Sequence, residues 1–217
     1  MPFTNWISNN YIEVFGAVTG ILFVILEIRQ NIWLWPVGIA TSAFYIWVFF
    51  TSKFYADMSL QGYYLVISVL GWYWWIRGTG HRAQGTGQEK ERGRKSESES
   101  ESEIEGKGEK LRVTRLRLRT GIILAVIFSV LFAVMWQVLD RLTDSPVPLW
   151  DSFITTLSII ATWMLARKIY EHWFLWIIVN TASVILFCTR GLYPTVVLYI
   201  IYCAMSFAGL KEWKKSL

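Results

Sequence analysis

With 217 residues, 54% hydrophobic and 17% charged, this chain is too poor in charge for an ordinary soluble domain, which is nearer a quarter charged. Its net charge is +5, and most charged side chains are gathered between Arg77 and Arg119. On either side the chain runs apolar for about 18 residues or more at a time, which soluble cores do not need and membrane spans do. A soluble domain is excluded, and an integral membrane protein is expected.

Seven apolar segments have spanning length: roughly 11–28, 32–50, 58–76, 119–139, 150–167, 172–189 and 194–211. Backbone groups in hydrocarbon must pair within their own segment, so all seven are expected to be helices. The first apolar run, Phe15 to Leu26, has no basic start and no small-residue cleavage site after it. It reads as a span and not as a cleavable signal peptide. Arg29-Gln30-Asn31, Thr51 to Asp57, Asp144 to Pro148, and Gly191 with Pro194 break the chain between spans. Residues 78–110 are low-complexity, with serine alternating with glutamate from Ser96 to Glu103. Such a stretch has nothing to bury and reads as a solvated, disordered tether. Leu111 to Thr120 carries four arginines and reads as a basic collar at the headgroups, holding the fourth span. Cys188 and Cys203 fall inside apolar helices and read as reduced, buried small hydrophobes.

The two ends of the chain resemble each other. At a shift of 138 places Tyr55 falls on Tyr193, Tyr64 on Tyr202, Gly71 on Gly209 and Trp75 on Trp213. Trp33 falls on Trp173 at a shift of 140, which a two-residue gap would reconcile. The marks run in the same order in both halves. The expected fold is therefore all-α, with seven transmembrane helices arranged 3+1+3 as parallel repeats. Two three-helix units of the same orientation cannot be joined by a short loop, and one extra crossing solves this. The expected domains are a first repeat at 11–78, the cytoplasmic tether at 79–112, a linker helix at 113–140 and a second repeat at 150–215. With the N-terminus outside, 18 of the 21 basic residues fall inside and 3 outside, which predicts N-out, C-in.

Candidate site residues come from polar and aromatic side chains in mid-span, which are costly in lipid and face a bundle interior. Trp173, Trp176, Asn180 and Ser183 share one face of the sixth span. Gln61, Tyr64 and Ser68 share a face of the third, and Tyr199, Tyr202 and Ser206 one of the seventh. The plainer reading of each is interhelical hydrogen bonding that only glues the bundle. Together they suggest a cavity. Aromatic rings stack planar solutes and attract cations, amides suit a carboxamide or ribose hydroxyls, and no Lys or Arg in mid-span is placed to hold a phosphate. Trp6, Trp150, Trp213 and the Trp72-Tyr73-Trp74-Trp75 cluster lie near span ends, where rings anchor at the interface. Glu13, Glu27, Asp57 and Asp140 also lie near span ends, and His172 at a span mouth. No mid-membrane carboxylate is therefore expected to carry a proton or bind sodium. There is no ATP-binding loop, no catalytic constellation and no metal or cofactor motif. Downhill, uncoupled transport is the reading left, and an enzyme is not expected.

Asn31-Ile32-Trp33-Leu34-Trp35-Pro36-Val37-Gly38, Phe54-Tyr55-Ala56-Asp57-Met58-Ser59-Leu60-Gln61, Gly71-Trp72-Tyr73 and Trp173-Phe174-Leu175-Trp176 with Asn180 and Ser183 resemble the PnuC nicotinamide riboside transporters. The likeness covers both three-helix halves but not the tether. It departs at Phe54, where a leucine is usual, and at Asn180, where many members carry aspartate. The resemblance implies a seven-helix parallel-repeat fold similar to an enlarged SWEET sugar transporter, assembled as a homotrimer. It also implies facilitated diffusion of nicotinamide riboside across the bacterial inner membrane, and cytoplasmic phosphorylation by a riboside kinase that prevents return. Carried over by position, the substrate-binding residues are Gln61, Tyr64, Trp176 and Asn180, with Trp173, Ser183, Tyr199 and Tyr202 beside them. The alternatives are a carrier of another ring-bearing vitamin, thiamine or riboflavin, and a receptor or scaffold signalling through the acidic tether. No nucleic-acid partner is expected.

Overall fold

A computed structural model describes residues 11–51, 55–77, 111–142 and 146–217. The tether and Trp6 lie outside the described residues. Those described form seven α-helices: α1 (Tyr11–Ile28), α2 (Leu34–Thr51), α3 (Tyr55–Arg77), α4 (Leu118–Leu142), α5 (Pro148–Ala166), α6 (His172–Thr189) and α7 (Tyr193–Lys214). Each expected span is a helix. Five of them, α2 and α4 to α7, are long and apolar enough to cross a membrane.

The helix ends follow local chemistry. Prolines open α5 and α7, where a missing N–H costs nothing. The end of α1 turns on Gln30, which takes a left-handed φ of 50°, and Asn31 N–H closes onto the Leu26 carbonyl at 2.8 Å. The end of α5 does the same. Lys168 has φ 50° and Ile169 N–H reaches the Met164 carbonyl at 2.9 Å. Gln30 and Lys168, Asn31 and Ile169, and Leu26 and Met164 are all related by the shift that pairs Tyr64 with Tyr202.

Helix packing forms a closed ring. α1 touches α2 and α7, α2 touches α3, α3 touches α5, α5 touches α6, and α6 touches α7. Helix α4 stands outside the ring and packs only on α5 among the described helices. Its outer face carries Ile122, Ile123, Val126 and Val130, all exposed, as suits a helix facing hydrocarbon.

The tightest packing repeats across the ring. On α2/α3, the Trp35 ring lies flat on the backbone at Gly71, where a Cβ would strike ring carbons. On α6/α7, Trp173 covers Gly209 in the same way. Each ring then meets a second indole edge-on: Trp35 with Trp75 at 5.4 Å between centroids, and Trp173 with Trp213 at 5.8 Å. Small residues let transmembrane backbones approach closely, and here the approach is of an indole to a helix.

This packing corrects two expectations. Trp35, not Trp33, is the counterpart of Trp173, so one shift serves throughout and no gap is needed. Trp33 is 64% exposed, whereas Trp35 is fully buried. Trp75 and Trp213 are core residues and not interfacial anchors. Trp72 and Trp150 are exposed, as anchors should be.

Two smaller corrections follow. Cys188 is exposed on α6 and Cys203 partly so, so neither is a buried hydrophobe. The segment before α4 is also more than a basic collar. Thr114 N–H donates to the Lys168 carbonyl at 3.0 Å and Tyr170 N–H to the Thr114 carbonyl at 2.9 Å. Leu116 N–H donates to Glu171 Oε2 at 2.8 Å, and Val113 is buried. The chain is thus strapped across the α5–α6 turn from residue 111 onward, and the expected tether boundary at 112 moves back into ordered structure.

Candidate functional site

The ring encloses a cavity of about 320 Å³. All six ring helices line it and α4 does not. Much of the lining comes in pairs related by the repeat shift: Gly20 and Ser158, Gly38 and Trp176, Ser42 and Asn180, Gln61 and Tyr199, Tyr64 and Tyr202, Ser68 and Ser206. The cavity therefore lies where the two halves of the sequence meet.

Paired positions differ in chemistry. Trp176 and Asn180 on α6 answer to Gly38 and Ser42 on α2, so the ring-and-amide wall is one-sided. Asn180 Nδ2 donates to Ser206 Oγ at 3.1 Å, and Ser206 donates on to the Tyr202 carbonyl at 2.8 Å. This fixes the buried amide and leaves its carbonyl oxygen as an acceptor. The indole N–H groups of Trp173 and Trp176 are buried without a protein partner among the described residues, as are those of Trp35 and Trp75 outside the lining. Tyr199 and Tyr202 meet edge-on at 5.9 Å between centroids.

Seven of the eight sequence-derived candidates line the cavity: Gln61, Tyr64, Trp173, Trp176, Asn180, Tyr199 and Tyr202. Ser183 does not, although it is fully buried. Sequence reasoning missed the contributions of α1, α2 and α5, among them Thr19, Phe23, Thr41, Ser42, Ser158 and Thr162. The repeat shift would have found Ser42 from Asn180.

The lining also includes a carboxylate. Glu27 is 2% exposed and His172 fully buried, with His172 Nε2 3.0 Å from Glu27 Oε1. His172 Nδ1 donates to the Ile169 carbonyl at 2.7 Å, and Trp213 Nε1 donates to the Glu27 carbonyl at 2.9 Å. Glu27 lies one residue from the end of α1 and His172 opens α6, as expected, yet both are buried and the carboxylate lines the cavity. Trp213 and Trp173 close over them, with ring centroids 4.6 and 4.7 Å from the imidazole. No Lys or Arg is among the described lining residues.

A ring of membrane-length helices around a largely apolar, aromatic-walled cavity set with a few buried polar groups defines a membrane carrier. Comparison with known proteins identifies the kind: the family described as nicotinamide mononucleotide transporter matches residues 10–215, and the chain belongs to that family of multi-pass inner-membrane transporters. It is 25% identical over 215 residues to the nicotinamide riboside transporter PnuC of Escherichia coli K12, covering 95% of this chain and 86% of that one. It is 23% identical over 220 residues to the riboflavin/roseoflavin transporter RibM of Streptomyces davaonensis, covering 96% and 92%. The crystal structure of the vitamin B3 transporter PnuC superposes with a TM-score of 0.66 at 22% identity, over 96% of this chain and 82% of that one.

Proposed function

We propose that this chain carries nicotinamide riboside down its concentration gradient. The observation that carries the reading is the cavity wall: the Trp176 ring and the Asn180 and Gln61 amides, with no Lys or Arg among the described lining residues. A planar pyridinium can stack on the indole. Its carboxamide and ribose hydroxyls suit the amides and the open indole N–H groups. The family description speaks of the mononucleotide, but a phosphate would enter a cavity offering a carboxylate and no cation.

Two three-helix units, α1–α3 and α5–α7, joined by α4 in a 3+1+3 parallel repeat, would meet mainly along the α1/α7 and α3/α5 seams, with Glu27 of α1 and His172 of α6 bonded beside the first. Rocking about these seams opens one mouth as the other closes. Pro36 and Gly38 early in α2 offer a flex point, and Pro194 reads mainly as a helix start. Arg29, Arg77, Arg167, Lys168 and Lys211 lie at or near the ends of α1, α3, α5 and α7, and this basic end is assigned to the cytoplasm. The apolar outer face of α4 suits lipid or a neighbouring copy in a homotrimer. A downhill carrier accumulates solute only if something removes it, which a cytoplasmic riboside kinase would do.

The relative described as a riboflavin transporter supports a second reading, since it matches over nearly the same length. Isothermal titration of the purified protein with nicotinamide riboside, nicotinamide mononucleotide, riboflavin and thiamine decides between them. The riboside alone should bind. Binding of riboflavin or thiamine in its place would overturn the assignment, and equal binding of the mononucleotide would overturn the reading of the cavity wall.

A further inference from the structure

The two halves of the chain match in backbone and packing at the basic end of the cavity, but not in chemistry. Under the repeat shift, Glu27 of α1 and His172 of α6 are answered by Leu165 of α5 and Leu34 of α2. Leu34 and Leu165 are both fully buried and belong to one apolar cluster. The fold therefore builds this junction satisfactorily from two leucines on one side. On the other it builds it from a buried carboxylate and imidazole. Buried ion pairs give up their hydration, and replacing them by packed apolar groups is often neutral or stabilising. Stability alone does not explain the exchange.

Glu27 also lines the cavity, whereas His172, Leu34 and Leu165 do not. Its Oε1 is taken by His172, which leaves Oε2 for a solute. The imidazole is held from behind. A carbonyl and a carboxylate can only accept, so Nδ1 carries a proton toward Ile169 and Nε2 another toward Glu27, which makes the ring the cationic half of the pair; it is wedged between a tilted Trp173 and an edge-on Trp213. The backbone of Glu27 is fixed separately by the Trp213 indole. Four groups thus hold one carboxylate at the cavity wall. Glu27 is the only Asp or Glu among the described lining residues, and no Lys or Arg of that lining stands against it.

We propose that Glu27, positioned by His172, is the group that selects a cationic over a neutral solute. This rests on the reading of a pyridinium nucleoside as the cargo. With the imidazole behind it and outside the lining, Glu27 turns the negative end of the pair toward the cavity, and a buried negative oxygen favours a cation far more than the same oxygen at a surface. The amides act on either form, and the rings add their own, smaller preference for the cation.

The test compares nicotinamide riboside with its dihydropyridine form, which keeps the carboxamide and ribose but carries no charge. The readout is the ratio of the two dissociation constants by titration. Wild type should prefer the cation by about tenfold or more. Glu27→Gln and the double variant Glu27→Leu/His172→Leu, which copies the opposite junction, should lower that ratio about fivefold or more, leaving the small preference due to the rings. The leucine pair should melt at or above the wild-type temperature, so a failure of Glu27→Gln to fold does not decide the matter. An unchanged ratio in either folded variant overturns the proposal. So does an unfolded leucine pair, which would make the junction structural. Equal binding of both forms by wild type overturns this inference while leaving the carrier reading intact. Binding of neither form by wild type overturns the carrier reading itself.

Discussion

Gly209→Ala tests the repeat at its tightest point. A Cβ built there lies 2.6 Å from Trp173 Cζ3, and closer still to neighbouring ring carbons. Carbon atoms in contact sit at about 3.5–4.0 Å, so the ring or the helix must give by about 1 Å. The ring has little freedom, being 1% exposed and hemmed by His172 and Trp213. Overpacking of this kind costs about 1–3 kcal/mol, and the enclosed ring places the cost at the upper end. For a chain of this size that lowers the melting temperature by roughly 5–10 °C. Gly71→Ala should cost a similar amount against Trp35, where the same ring carbon lies 2.6 Å away. The decisive arm is Trp173→Leu combined with Gly209→Ala. Leucine lacks the second ring, so the double variant should be about 2 kcal/mol more stable than the two single losses added together. Thermal melting of detergent-purified protein, followed by tryptophan fluorescence, measures all four. A neutral Gly209→Ala, or strictly additive losses, would refute the packing argument.

Three further outcomes follow. Trp176→Ala should weaken riboside binding about 10- to 100-fold, the cost of losing one aromatic stacking partner, while the protein still elutes as a folded species. Wild-type affinity in that variant would remove the ring from the site. Trp35→Ala should destabilise by about 3–5 kcal/mol as a core truncation, whereas Trp33→Ala should change melting little because its ring is largely exposed. The reverse order would restore the gapped register. Deleting residues 79–110 should leave riboside flux unchanged, and loss of flux would give the acidic segment a working role.

The helices were legible because apolar run length is a direct statement about membrane thickness. The cavity was legible wherever the lining is large or polar, as with Trp176, Asn180, Gln61 and the tyrosines. It was illegible where the lining is small. Gly20, Gly38, Ser42 and Ser158 look like ordinary small residues in spans, and only their partners in the other half of the chain give them meaning. Distance from a span end misled twice. Glu27 is one residue from the end of α1, yet His172 and Trp213 roof it over. Trp75 and Trp213 lie near helix ends, yet their rings dock on Trp35 and Trp173. A tryptophan near a span end reads as an anchor unless a glycine one turn before it on the same helix admits a ring from the facing helix. Gly71 and Gly209 carried that information, and composition did not.

The account depends most on passive passage of one solute through the cavity between the two units. Purified protein reconstituted in liposomes with labelled nicotinamide riboside, and with no proton or sodium gradient, tests it. Internal label should rise to the external concentration and stop there, and Trp176→Ala should slow the rise about 10-fold or more at low riboside concentration. Label that stays outside, or that enters only when an ion gradient is imposed, would contradict the account.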